Sequence, residues 1–510
     1  MSEERTLREI RLEKLARLRS LGMDPFAVER FDRTDTAEGL LARFDVLGGH
    51  QDEAEAKTPI QFAGRIVSLR MMGKAAFAHL SDGDHRIQGY FRKDDLSELE
   101  WEAFGLLDIG DHLGVNGRLF LTKTGEKSIH VESLTPLSKA LETLPLGKEK
   151  DGHHWYGLED VEARYRHRHL DLLTNHEARA RLLLRSRIVS AVRRFFDQRG
   201  FFEVETPMLQ LEAGGAAART FGTHYNAYDL EVKLRISLEL YLKRVICGDV
   251  AKVYEIGRVF RNEGVSNRHN PEFTLLEWYE AYANLEDVMT TVEDLFRFVI
   301  ADCFPHEGDK RSPVDFSKPW KRVQLLEEIE RHSGLTADDL SSLDRAKLAL
   351  GEREVVNPAT GKRISAGEEA HLGGLIEKLL EVFVEPTLIE PTFVVGYPIE
   401  TSPLAKRDPN RPGFTRRFEG YVLGREICNA FSEINDPLDQ RERFEAQERE
   451  RVRGDDEAHP MDEEFLYALE CGMPPTGGCG IGIDRMVMLL TGAEHLREVL
   501  LFPMMKPRGD

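Results

Sequence analysis

At 510 residues and 58.1 kDa the chain is too long for one hydrophobic core, so two or three domains are expected. Hydrophobic residues at 41% and charged residues at 31% suit a soluble globular class, and no apolar run approaches the roughly 20 residues that span a bilayer. A net charge of −20 weighs against nucleic acid binding over the whole surface, because phosphate contacts dominate such affinities, yet it leaves room for a local basic face.

The opening stretch MSEERTLREIRLEKL has no apolar core and carries early acids, unlike a secretory or transit leader. Over 5–21, Leu7, Ile10, Leu15 and Leu18 recur at helical spacing, with Arg8, Arg11, Lys14, Arg17 and Arg19 largely between them; Gly22 and Pro25 stop the helix. This face, part of an extension over 1–55, is either a solvated helix surface or a phosphate-facing arm. Over 56–141 the pattern changes to short strands, QFAGRIVSLR, AFAHLSD, RIQGYF, HLGVNGRLFLT and SIHVESL, separated by Gly, Asp and Lys turns. Such a succession predicts a small OB-type β-barrel. Residues 142–180 are polar and read as a linker, in which His153 and His154 have no third metal ligand at useful spacing. From 181 to 510 helices and strands mix, giving an α+β chain, with a helix-like insertion over about 301–385. The five cysteines form no C-x-x-C pair, which predicts free thiols in a reducing cytoplasm.

Three stretches concentrate chemistry. Alternation at Val253, Glu255, Gly257 and Val259, and again at Phe273, Leu275, Glu277 and Tyr279, predicts two strands joined by the charged loop FRNEGVSNRHNPEF. That loop is longer than a hairpin needs. Its arginines suit a phosphate, whose oxygens match the guanidinium fork, and Phe273 offers a flat face to a nucleobase; an ion-pair network is the other reading. In PPTGGCGIGIDRMVMLLTG (474–492) the glycines permit close backbone approach, but neither a dinucleotide fingerprint nor a Walker loop is present. In RRFEGYVLGREICNAFSEIND (416–436), Leu423-Gly424 suits a two-residue turn pairing Tyr421 with Glu426 and Val422 with Arg425. Glu419 then lies diagonally across from Glu426, within reach of a shared magnesium ion, unless both are plain surface acids. Asn429, Phe431 and Glu433 have the opposite parity to Glu426, so one cavity takes both sets only if the strand bulges between Glu426 and Asn429.

In order and spacing these stretches resemble the class II aminoacyl-tRNA synthetases. RGFFEVETP (199–207) is similar to motif 1, FRNE with His269 and Phe273 to motif 2, and GIGIDR (480–485) to motif 3. The barrel points to subclass IIb, and ELYLKR, RHNPEFTLLEWY and NAFSEINDP resemble its lysyl-tRNA synthetases in particular. The resemblance implies a catalytic domain built on an antiparallel sheet flanked by helices, ATP-dependent activation of L-lysine, transfer to the 3′ end of tRNA(Lys), Mg2+, a homodimer and no membrane. It also implies roles. Arg261 and Arg485 are the catalytic cations. Arg261 would hold the α-phosphate, His269 and Arg268 the outer phosphates, and Glu263 the adenine side; Asn270 belongs to the same ATP site, and the ring lies between Phe273 and Arg485. Glu419 and Glu426 match magnesium ligands. Glu239 and Glu277 match positions that bind the α-amino group of lysine, Glu433 and Tyr279 those that receive its ε-ammonium, with Asn429 near the substrate carboxylate; Gly215 and Phe431 belong to the same lysine pocket. In the barrel, Phe77, Arg70 and Gln88 match anticodon contacts. Glu132 falls one position before the family's glutamate, where this chain has Ser133, so its role stays open. Two rival functions remain: a lysyl ligase acting on a protein, which the barrel argues against, and a non-catalytic paralogue, in which Arg261, Glu419, Glu426 or Arg485 should have decayed.

Overall fold

A computed structural model describes residues 6–47, 58–83, 85–146, 148–150, 153–155, 157–264, 266, 269–305, 313–352, 355–357, 361, 364, 369, 371–453 and 458–507. They form two compact units, Met1–Arg179 and Ala180–Asp510.

In the first unit, period-two burial builds a closed barrel from β1 (Ile60–Met72), β2 (Ala75–Ser81), β3 (Arg86–Arg92), β4 (His112–Leu121) and β5 (Lys127–Ser138), in the order β1-β2-β3-β5-β4. Phe62, Ile66, Ala78, Leu80, Ile87, Phe91, Val115 and Ile129 fill its interior. Each large buried side chain contributes roughly 1.5–3 kcal/mol. Between β4 and β5 the register passes from Asn116↔Ser133 to Gly117↔Val131, so Glu132 is an extra, bulged residue. It faces out and meets Arg118 at 3.1 Å. The N-terminal helix Leu7–Ser20 starts with a Thr6/Glu9 capping box and buries Leu15 and Leu18. Its cations are spent locally: Arg8 on Glu142, Arg11 on the Ala140 carbonyl, Lys14 on Asp108, Arg17 on Glu102 and Arg19 on Asp24. The helix is therefore docked by its charges as well as its leucines. A short hairpin, β6 (Lys148–Lys150) with β7 (His153–Trp155), follows.

In the second unit, β8 (Phe202–Glu203) is followed by a small sheet of β9 (Leu209–Gln210), β10 (Gly222–Tyr225) and β11 (Leu230–Leu234). The main sheet adds β12 (Lys252–Phe260), β13 (Glu272–Ala281), β14 (Lys321–Gln324), β15 (Thr392–Val395), β16 (Arg417–Val422), β17 (Arg425–Ser432) and β18 (Thr476–Gly482). Its order is β14-β15-β16-β17-β18-β13-β12-β8. Pairings from β15 through to β12 are antiparallel, as expected, but β14 and β8 join the two edges in parallel. The stretch read as a helical insertion thus also lends a strand, β14, to the sheet. One face of the sheet is sealed by the helices Leu285–Cys303 and Ile483–Thr491, which pack Val292, Phe296, Met486 and Leu490 against Leu276, Trp278, Cys428, Ala430 and Ile481. Because side chains alternate, Leu275, Glu277 and Tyr279 of β13 and the glycines at 478, 480 and 482 of β18 face the other side, where the cavity lies.

Candidate active site

A cavity of about 370 Å³ opens on that second face. Its phosphate-like end is made by the loop between β12 and β13. The loop is pinned where Arg261 N–H donates to the Pro271 carbonyl at 2.8 Å and where the Ser266 hydroxyl meets His269 Nδ1 at 2.9 Å. Arg261, Glu263, His269, Asn270 and Phe273 all line the cavity, and Arg485 reaches it from the first turn after β18. Arg268 lies outside the described residues. The guanidinium of Arg261 rests over the Phe273 ring, 5.2 Å from its centroid. A nucleobase stacked on Phe273 therefore needs Arg261 to slide off that face. Burial lowers the His269 pKa, and the nearby Arg485 lowers it further, so the imidazole is neutral at pH 7. Asn270 is buried, with Nδ2 bound to the Glu272 carbonyl and Oδ1 left without a partner.

The acidic wall comes from the β16–β17 hairpin. Leu423 and Gly424 take φ values of 54° and 65°, as a two-residue turn of this hand requires, and Tyr421 faces Glu426. Beyond that pair the register jumps to Gly420↔Cys428, leaving Ile427 unpaired. This bulge, between Glu426 and Asn429 as the parity of the sequence demands, lets Glu426, Asn429 and Phe431 line one cavity. Glu426 accepts from Arg485 Nη1 at 2.9 Å. Burial would raise its pKa, but Arg485 and Arg261 outweigh it and hold the carboxyl below its ordinary value. Glu419 lies outside the lining and is buried. It accepts from Arg417 at 2.6 Å and from the hydroxyls of Tyr397 and Tyr421 at 2.8 and 2.5 Å. Burial raises its pKa; Arg417 opposes this and the charge of Glu426 adds to it. Two hard, mutually repelling carboxylates fit a magnesium ion that keeps water and phosphate ligands, and do not make an all-protein cage. Among the described residues no group of three or more His, Cys, Asp or Glu is gathered for a metal.

The third wall is backed by a set of buried carboxylates, of which Glu239 and Glu277 line the cavity and Glu433 lies outside the lining. The helix Glu239–Cys247 presents Glu239 at its start; β13 presents Glu277, and Glu433 follows β17. Glu277 accepts from the Ser237 hydroxyl at 3.2 Å, from the Leu238 N–H at 3.2 Å and from the Tyr279 hydroxyl at 3.1 Å. Burial, then the charge of Glu239, pushes its pKa up to about 7. Burial also raises Glu239 and Glu433. Gly215 lines the same end. The sequence reading missed Lys243, one helical turn after Glu239. Its fully buried ammonium contacts both Glu239 and Glu433. The signal was present as an i,i+4 Glu–Lys pair in ELYLKR, a spacing usually met on solvated helix faces.

Arg70, Phe77 and Gln88 lie on the outer surface of the barrel, in the other unit. Arg70 is exposed opposite Phe77. The Phe77 ring stands 5.0 Å from that of Tyr90, which stacks on Phe120 at 5.5 Å. Tyr90 and Phe120 extend a platform of which the sequence reading picked out one ring. Gln88 accepts from the Ser128 hydroxyl at 2.9 Å.

The chain is similar in sequence to known proteins. A family model described as tRNA synthetases class II (D, K and N) matches residues 160–506, and one described as an OB-fold nucleic acid binding domain matches 60–137. The chain is 50% identical to a lysine–tRNA ligase of Syntrophomonas wolfei, over 99% of its own length and 98% of that relative. It is 46% identical to the lysine–tRNA ligase of Moorella thermoacetica over the whole of both chains, and 45% identical to that of Bacillus subtilis over 98% and 97%. Likeness of this depth over the full length shows that the chain belongs to the class II tRNA synthetases, in their lysine–tRNA ligase family.

Proposed function

We propose that the chain joins L-lysine to ATP, forming lysyl-adenylate and pyrophosphate, and passes the lysyl group to the 3′ end of tRNA(Lys). The observation that carries this reading is the pair of buried carboxylates, Glu239 and Glu277, lining a cavity that Arg261 and Arg485 also line, with Glu433 buried behind them and joined to Glu239 through Lys243. Buried acids recognise ammonium groups, and an aspartate-specific pocket would need cations there. Glu239 and Glu277, with Gly215, take the α-amino group. Glu433 and Tyr279 take the ε-ammonium beside Phe431, and Asn429 stands near the substrate carboxylate.

That carboxylate attacks the α-phosphorus while pyrophosphate leaves. Both partners are anionic, so the approach needs fixed positive charge that is stronger in the crowded transition state than before it. Arg261, sliding from Phe273 onto the α-phosphate, and Arg485 on the far side supply it. His269 and Arg268 hold the outer phosphates, and Glu263 and Asn270 position the adenine end. Glu419 and Glu426 would hold Mg2+, which when bound adds charge against the phosphates. No side-chain nucleophile is required, because positioning does the rest. The tRNA 3′ hydroxyl then attacks the lysyl carbonyl and AMP leaves.

Residues 181–510 are assigned this chemistry, 56–141 the anticodon through Phe77, Arg70 and Gln88, 142–180 the linker, and 1–55 an extension. Phe202, Met208, Leu209 and Leu211 are exposed apolar side chains around motif 1 and suit the face of a homodimer. All five cysteines are free, as a reducing cytoplasm would keep them, and no described helix is long and apolar enough to cross a membrane. Lysine-dependent exchange of pyrophosphate into ATP, followed by charging of tRNA(Lys) and of the same tRNA with an altered anticodon, tests the reading. Exchange with lysine and charging lost on the altered tRNA are expected. Exchange without any charging would move the acceptor to a protein, and no exchange would leave only a binding role.

A further inference from the structure

Three carboxylates are buried here with a single resident ammonium, Lys243: Glu239 and Glu277 line the cavity, and Glu433 lies behind the lining against Gly478. The other cations nearby are committed. Arg417 is ion-paired to Glu419 and Arg485 to Glu426, and Arg261 rests over the Phe273 ring. The remaining titratable groups that face Lys243 or these acids are neutral. His459 is buried with Nδ1 unpartnered, and burial followed by the charge of Lys243 pulls it down to about 4. Burial raises the thiols of Cys247 and Cys479 and the phenol of Tyr279. With all three ionised, three carboxylates less one ammonium leave two negative charges unmet.

We infer that Lys243 is a specificity-determining residue, a built-in counter-ion that sets the unmet charge of the pocket at the two that the ammonium groups of a diamino acid supply. The inference rests on the lysine reading of this site. The geometry suits a fixed counter-ion. The Lys243 ammonium bridges Glu239 and Glu433 and sits 5.4 Å from the Phe431 ring centroid and 5.9 Å from those of Tyr279 and Phe465. A fully buried lysine walled by three rings has no path to solvent. It takes one oxygen of Glu433 and leaves Oε1 without a hydrogen-bond partner. That oxygen faces β18, where a Cβ on Gly478 would stand 2.3 Å from it. A monoamino acid would leave one carboxylate buried and unpaired. Without Lys243, the acids would instead retain an extra proton, which an incoming ammonium must expel.

Lys243→Met, which keeps the length of the side chain, tests this through the lysine KM in pyrophosphate exchange across pH 6 to 9. For the wild type, the fall of lysine KM with rising pH should end near pH 7, where Glu277 is ionised. In Lys243→Met the lysine KM should rise about a hundredfold. Its break should move up by about one pH unit or more, while the ATP KM and kcat hold within about threefold. An unmoved break overturns the inference. If that variant does not fold, Lys243→Gln, which removes the charge and keeps donors for both acids, decides: its break should likewise move up by about one pH unit or more, and an unmoved break overturns the inference. A wild type whose exchange depends on another amino acid overturns the proposed function and this inference together, whereas lysine dependence with an unmoved break overturns this inference alone.

Discussion

Glu277 shows how far a single residue can be read before its surroundings are known. Its alternation on a strand placed it with Phe273 and Tyr279, and that much was legible. Its proton was not, because a pKa pushed up to about 7 depends on burial and on Glu239, thirty-eight positions earlier in the chain. The sign has consequences. A carboxyl raised above its ordinary value adds stability that is complete below that ordinary range and is lost as pH rises through about 7. An ammonium ligand needs the ionised form, so lysine binding below about pH 7 should expel a proton and binding well above it should not. Titration calorimetry at about pH 6 in two buffers of different ionisation enthalpy reads that proton directly; identical apparent enthalpies would count against the assignment of Glu277. Lys243 went unread for a related reason. An i,i+4 pair looks the same in sequence whether its helix faces water or a buried acid, and only the fold decides.

At the scale of elements, parity carried the reading a long way. The clash between Glu426 and the set Asn429, Phe431 and Glu433 demanded a bulge, and Ile427 supplies it. Parity also left Glu132 undecided, and the structure shows why: a bulge at that position turns it outward to Arg118. The parallel edge strands β8 and β14 were not legible, since strands this short carry little pattern and are defined by the neighbour they pair with. Among the glycines of β18, Gly478 is the one packed tightly against an acid. A Cβ at 478 would lie 2.3 Å from Glu433 Oε1 and 2.4 Å from the Tyr279 ring, contacts that real side chains do not make. Gly478→Ala should therefore raise the lysine KM by about a hundredfold, as for other disruptions of a buried charged pair, with the ATP KM within about threefold. Equal losses for both substrates would mean that β18 had shifted as a whole, and would leave Gly478 without a specific part in the lysine end.

Across the whole molecule, the two-part organisation showed in the sequence as a switch from short alternating strands to mixed helices and strands, because strands bury side chains with period two and the helices flanking the catalytic sheet bury theirs with period 3.6. The platform Phe77–Tyr90–Phe120 is the neutral, aromatic surface of this acidic chain that we propose for RNA bases. Phe77→Ala should weaken charging of tRNA by about 1–3 kcal/mol and leave lysine-dependent exchange unchanged. Loss of exchange in that variant would place the platform in folding and not in recognition.

The N-terminal helix bears on how the molecule meets its medium. It is fastened to the first unit by two buried leucines and a row of mostly exposed ion pairs, each worth little alone and all weakened by dissolved electrolyte. Concentrated salt would thus slacken this clasp while the greasy interior of the barrel tightened, so that the same solution would loosen one end of the chain and firm up the wall it leans on.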